Sequence, residues 1–477
     1  MMNTSTLGRA GLLVLLSGQL LPLIDFSIVN VALDAMAQTF NASPIQLELI
    51  VAIYGIAFAV CLAMGGRFGD NFGRRRVFLA GVWLFALASL LCGIAGSVWV
   101  LLVARMLQGA GAALIVPQIL ATLHVTLSGQ RHARAIGLYG GIGGLAFIIG
   151  QVLGGFLVGA DIGGYGWRSV FLINLPVCLI ILLTAHRFVP NTRNERPVAI
   201  DLQGTLLLGG AVGCMMLALA LGPILHWSWP CILLLALFPL LLHRLRQVEL
   251  KLEMQHGAPL LPPSLLRLPS VRFAISLAVL FFSCWSGFMF AVALTLQSGL
   301  GLNSFQSGNA FIALGASYFI GAQLSTRMVE RFGKRATLLW GCGIQMVGLA
   351  VLMATFYRSW PAIGILTLAP ATILIGFGQS FIVSTFYRIG LADVPAHHAG
   401  SGSAMLSTVQ QASLGLGPML LGSVFSQVLL RHDYRAAILA TLAVEGVIML
   451  LLIARTAFSR RSFQSHRATI IPPVCGE

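Results

Sequence analysis

The sequence predicts an all-α polytopic membrane protein: two six-helix halves with two further helices inserted between them, fourteen transmembrane helices in all. Three observations carry that prediction: composition, the spacing of apolar runs, and an internal repeat. The chain has 477 residues, of which 57% are apolar and only 9% charged. A soluble globular chain carries about a quarter charged residues, so this one cannot cover a water-facing surface with polar groups. So much apolar residue also excludes disorder. The 29 Lys and Arg against 14 Asp and Glu give a net charge of +15, which in a soluble protein would suggest nucleic acid. Their location removes that reading. The eight cysteines lie scattered, mostly inside apolar runs and without metal-ligand spacing, and are read as packing residues.

A helix needs about 20 mainly apolar residues to cross the hydrocarbon core. Fourteen runs meet that requirement: 10–33, 45–64, 76–96, 98–123, 133–159, 168–187, 202–221, 230–246, 272–297, 305–327, 335–356, 361–387, 400–430 and 435–455. The first is too long for a signal-peptide core and lacks a cleavage site, so it is expected to remain as a helix. With the N-terminus placed in the cytoplasm, only Arg168, Arg358, Arg431 and Arg435 fall outside and Arg105 within a span, leaving 24 of the 29 basic residues on the cytoplasmic side. An odd number of spans would scramble this separation. The expected location is a plasma membrane, such as a bacterial inner membrane, with both termini cytoplasmic and the lipid bilayer as the surrounding partner.

Between the second and third spans lies Gly66-Arg67-Phe68-Gly69-Asp70-Asn71-Phe72-Gly73-Arg74-Arg75. A degenerate copy, Thr326 to Arg335, lies 260 residues on, with Glu330 on Asp70, Phe332 on Phe72, Gly333 on Gly73 and Lys334-Arg335 on Arg74-Arg75. Parallel repeats of six spans build one large class of transporter, with the substrate site at the midplane between halves. The expected organisation is an N-terminal bundle at 1–190, an inserted helix pair at 191–246, a cytoplasmic linker at 247–271, a C-terminal bundle at 272–457 and a cytoplasmic tail at 458–477.

The first of these loops resembles the signature of the major facilitator superfamily. Asp25 within Leu21 to Leu33, Arg105-Met106-Leu107-Gln108-Gly109-Ala110-Gly111, and Trp167-Arg168 followed by Phe171, Asn174 and Pro176 resemble motifs of its fourteen-helix drug:proton antiporter branch. One departure stands out. The fifth-helix antiporter motif usually reads Gly-Pro before its Gly-Gly, whereas here it reads Gly150-Gln151-Val152-Leu153-Gly154-Gly155. The resemblance implies the major facilitator fold and proton-coupled export of drugs, and the Gln151 departure keeps export of a specific metabolite or amino acid open.

Asp25 is the strongest single signal. A carboxylate inside an apolar span costs about 2.5–3.5 kcal/mol on insertion scales and marks an ion or substrate path by default. Arg105 is the basic residue well within a span, and it shares a helix face with Gln108, Gly109 and Ala112. These two form the expected proton-coupling pair: Arg105 holds Asp25 or a backbone carbonyl until protonation releases it. The bland alternative is a static buried pair that fixes helix register. Gln108, Gln151 and Glu445 are candidate cavity residues, although Glu445 reads more readily as a protonated acid bonded to a neighbouring helix. Asp34 and Glu48 flank the first outer loop and are expected to be solvated.

Gly143, Phe147, Gly150 and Gly154 form a small stripe on helix five, continued by Gly155, which suits either static close packing or rocking. Gly66, Asp70, Gly73, Arg74 and Arg75 read as a conformational latch: Asp70 caps a helix N-terminus, and the two arginines bond facing carbonyls or acids in one state only. No nucleophile constellation stands out, so an enzyme is not expected; a polytopic membrane enzyme or sensor is the distant alternative. No Gly-x-x-x-x-Gly-Lys-Ser/Thr loop is present to hold ATP. The expected protein is therefore a monomeric exporter of small apolar or cationic compounds that needs no cofactor and draws on the proton gradient, with small molecules and protons as its partners.

Overall fold

The computed structural model describes residues 7–193, 201–222, 225, 227–255, 257, 259–395 and 399–459. The N-terminal half contains α1 (Arg9–Ile28), α2 (Leu33–Phe40), α3 (Pro44–Phe72), α4 (Arg74–Gly93), α5 (Val98–Thr126), α6 (Gly129–Ala160), α7 (Ser169–Leu172) and α8 (Asn174–Phe188). The inserted pair is α9 (Leu202–Leu221) and α10 (Trp229–Met254). The C-terminal half contains α11 (Pro263–Leu266), α12 (Pro269–Leu277), α13 (Ser283–Leu294), α14 (Ser304–Asn309), α15 (Ile312–Ser359), α16 (Ile365–Gly390), α17 (Ala399–Leu429) and α18 (Tyr434–Phe458).

Among the described residues, twelve helical stretches are long and apolar enough to cross a membrane. One of them, Ser304–Ser359, breaks at Gly333 and makes two passes, and the 32-residue α6 makes a further one. Counted this way, the described residues are consistent with fourteen passes. Gly73, between α3 and α4, has φ of +100°, and Gly333, its counterpart 260 residues on, has φ of +81°. Both fall where a side chain is strained, so the repeat is written into the backbone at the same turn of each half.

Helix starts follow from local chemistry. Ser43 and Gln46 form a capping box at α3, with Pro44 at its first position, and Asn303 and Gln306 form another at α14. Ser97, Asp201 and Asp433 cap α5, α9 and α18 through their side-chain oxygens. The first run, expected to be one helix, tightens into a 3-10 turn at Val29–Ala32. There Asn30 Nδ2 bonds back to the Phe26 and Ser27 carbonyls, competing with the regular ladder. The stretch expected to be a linker from 247 is helical to Met254, because α10 runs on past its apolar part through a polar end that hydropathy does not register.

Within the N-terminal half α3 and α4 pack on α5, and α1 on α6; within the C-terminal half α15 packs on α16, and α13 and α18 on α17. The halves meet along α3 with α17 and along α6 with α14 and α15. At the first seam a Cβ on Gly55 would stand 2.7 Å from the Gly415 Cα, so only glycine permits this backbone approach. Helix α9 covers this side, with Leu208, Val212 and Met216 packed in one cluster with Ala52, Ile56 and Met419.

Candidate functional site: a buried ion pair in the N-terminal half

Asp25 and Arg105 are both fully buried and form an ion pair, Arg105 Nη1 donating to Asp25 Oδ2. The other carboxylate oxygen, Oδ1, accepts from Gln108 Nε2 at 2.6 Å and from Asn174 Nδ2 at 3.0 Å. Both amides also reach Ser89 Oγ, at 2.9 and 3.3 Å. Arg105 further donates from Nη1 to Gln108 Oε1 at 2.7 Å and from Nε to the Ile50 carbonyl at 3.2 Å. Its guanidinium stacks 4.3 Å from the Tyr54 ring centroid, and the Tyr54 hydroxyl donates to the Pro22 carbonyl at 3.0 Å. Helices α1, α5 and α8 therefore meet at the carboxylate, and α3 and α4 join the network through Arg105 and Ser89. Arg105 Nη2 is buried with no hydrogen-bond partner among the described residues.

The structure brings Gln108 into this network, where it bonds Asp25 directly. Gln151 lies elsewhere, fully buried on α6, with both amide atoms unpartnered among the described residues. Its carbonyl faces Gly308, where a Cβ would stand 2.5 Å away, so it sits on the second seam. Glu445 is fully buried in the C-terminal half and accepts from Gln345 Nε2 at 3.3 Å.

Helix α6 couples this region to the seam. A Cβ on Gly150 would stand 1.8 Å from Ser27 Oγ, and one on Gly154 would stand 2.9 Å from the Ile28 carbonyl. Both glycines press on α1 directly after Asp25. Gly155 turns the other way, against the Ser304 carbonyl of α14. The surroundings of Gly143 and Phe147 lie outside the described residues.

In the last turn of α3, Asp70 pairs with Arg74 Nη2 at 2.7 Å. The expected capping role is not found: α4 begins after Gly73 with no side-chain cap, and the carboxylate turns to the arginine one helical turn on. Arg74 also donates to Thr192 Oγ1 at 3.2 Å, and Arg75 Nη1 donates to the His186 and Val189 carbonyls at 3.0 and 3.2 Å. These contacts tie α4 to the end of α8. At Gly66 a Cβ would meet only Pro117 at 3.7 Å, ordinary contact distance.

The expectation that Glu48 is solvated is overturned. It is 1% exposed, accepts from Ser426 Oγ at 2.8 Å and lies against Gly422, so it is part of the α3–α17 seam. Its position beside a loop concealed this, since only the opposing helix buries it. Asp34 is half-buried and accepts from Ser298 of the other half and from Gln38. Ser89 was also missed: a lone serine in an apolar helix carries no signal of its partner.

A many-helix bundle of two repeated halves, with a charged network inside one of them, defines a membrane transporter rather than a soluble enzyme. The chain matches the Major Facilitator Superfamily over residues 15–418 and belongs to that family. It is 32% identical to the "Probable actinorhodin transporter" of Streptomyces coelicolor, over 87% of this chain and 72% of that one. It is also 32% identical to the "Puromycin resistance protein pur8" of Streptomyces alboniger, over 87% and 81%. Its fold is similar to an inward-facing bacterial homologue of the human lysosomal transporter Spinster, with TM-score 0.66, 17% identity, and 95% and 96% of the two chains covered.

Proposed function

We propose that the protein is a proton-driven exporter of small apolar or singly cationic organic compounds, working by alternating access. The observation that carries the reading is the Asp25–Arg105 pair, a charge centre on which five helices converge. Protonating Asp25 removes the charge that holds Arg105, Gln108 and Asn174, and each charge-assisted bond of this kind contributes about 1.5–3 kcal/mol. Helix α1 then loses its tether to α5 and α8. Because Gly150 and Gly154 press on α1 and Gly155 presses on α14, a shift of α1 reaches the seam through one packed helix.

Relatives named for transport of, or resistance to, antibiotics support organic compounds as cargo. In this reading both termini lie in the cytoplasm, the protein resides in the plasma membrane as a monomer, and the proton gradient is its energy source. A second reading, export of one polar metabolite, draws on the unpartnered amide of Gln151 at the seam.

The test is Asp25→Asn, an isostere that keeps an acceptor for the amide partners but cannot ionise. Ethidium efflux driven by a pH gradient in vesicles is expected to be lost at matched expression. Efflux at the native rate would overturn the proton-carrier role. A panel of polar metabolites run beside ethidium separates the two cargo readings.

A further inference from the structure

The joint between the inserted pair and the C-terminal half holds a cavity of about 490 Å³ lined by Arg246, Leu250, Pro263, Leu266, Arg267 and Arg272. Arg246 and Leu250 are one turn apart on the end of α10, Leu266 and Arg267 stand at the end of α11, and Arg272 lies in the first turns of α12. Three exposed arginines therefore line one cavity from three elements. None of them is in an ion pair among the described residues, where Asp70–Arg74 and Asp25–Arg105 are the pairs present.

The neighbouring carboxylates are already engaged. Glu253 accepts from the Ser264 backbone N–H and hydroxyl, and Asp393 accepts from the Ser270 N–H at 3.3 Å. Glu249 is 1% exposed and faces α9, beside Asp201 and Gly204. The serine bonds hold Glu253 and Asp393 to neutral groups beside the site, and the cavity's lining itself carries three arginines and no carboxylate. Its other wall is apolar, made by Leu250, Pro263 and Leu266.

We infer that this cavity binds the phosphate headgroup of an anionic phospholipid. Planar guanidiniums suit phosphate oxygens in paired donation, and Leu250 and Leu266 give the glycerol and upper acyl carbons a surface that inorganic phosphate does not need. The position fits a lipid. Helix α10 is the span least covered by protein, 11% buried along its most apolar stretch, so its flanks border the bilayer. Arg67 Nη2 donates to the Pro259 carbonyl at 2.8 Å and fixes this joint to the same end of the bundle as the Asp70 loop. The headgroup ties α10, α11 and α12 together where the halves are joined. Assignment to the inner leaflet rests on the sidedness proposed above; the phosphate chemistry does not.

The test titrates the purified full chain in detergent with phosphatidylglycerol and phosphatidylcholine, read by native mass spectrometry. This binding readout is independent of proton coupling. The variant Arg246→Gln/Arg267→Gln/Arg272→Gln is expected to lose affinity for phosphatidylglycerol about tenfold or more. The control Arg131→Gln/Arg244→Gln/Lys251→Gln, equal in charge removed, is expected to bind as the native chain does. Leu250→Trp fills the cavity with all three arginines retained and is expected to lose the lipid too. Native-like phosphatidylglycerol binding by the cavity variants, equal loss in the control, equal binding of phosphatidylcholine, or uptake of inorganic phosphate without lipid preference would each overturn the proposal.

Discussion

In the N-terminal half Asp25 accepts from three side chains, Arg105, Gln108 and Asn174, whereas in the C-terminal half Glu445 accepts, among the described residues, from Gln345 alone, at 3.3 Å. Both carboxylates are fully buried. The first has a cation and two amides to hold a negative charge; the second has no cation, and Glu445 Oε2 and Gln345 Oε1 stay unpartnered among the described residues. The repeat copied the backbone, as Gly73 and Gly333 record, but Trp285 stands 260 residues on from Asp25, so the carboxylate was not copied. A proton arriving at Asp25 undoes several strong contacts at once. The same event at Glu445 changes little, and that asymmetry is why the proposed coupling is placed in the N-terminal half.

Three substitutions probe the asymmetry, in descending order of effect. Arg105→Met leaves the Asp25 carboxylate buried without its cation and is expected to cost about 3–5 kcal/mol. Thermal unfolding and monodisperse yield in detergent would register this, with partial recovery in Asp25→Asn/Arg105→Met; a native melting profile for the single variant would show that the pair does not hold the half together. Asn174→Ala removes one of two amide donors to Oδ1 and is expected to cost about 1.5–3 kcal/mol by the same assay. Glu445→Gln preserves shape and keeps a carbonyl to accept from Gln345, so its cost is expected to stay near or below about 1 kcal/mol with efflux retained. Loss of ethidium efflux in a folded Glu445→Gln protein would move the coupling to the other half.

Asp25 and Arg105 were legible because charges in apolar runs are rare and expensive, and each had few possible partners. The repeated loop was legible because Gly73 and Gly333 must be glycine for a backbone reason that leaves a mark at a fixed spacing. Ser89 and Glu48 were not. A serine at 0% exposure looks in sequence like any small residue, and Glu48 sits a few residues from a loop on the face that α17 covers. Burial by a helix distant in the chain is a tertiary fact, and no local pattern encodes it. The Asp70 loop was partly legible: its charges marked a built turn, but whether the carboxylate caps the helix or pairs with Arg74 depends on a side-chain choice that the spacing allows both ways.

The central claim is that Asp25 exchanges the proton that drives transport. Its most direct measurement is proton release on ethidium binding, followed with a pH indicator in weakly buffered detergent solution. The native protein is expected to release on the order of one proton per bound ethidium, by reciprocal linkage between the two ligands. Asp25→Asn is expected to bind ethidium and release none. Undiminished release from that variant would contradict the account.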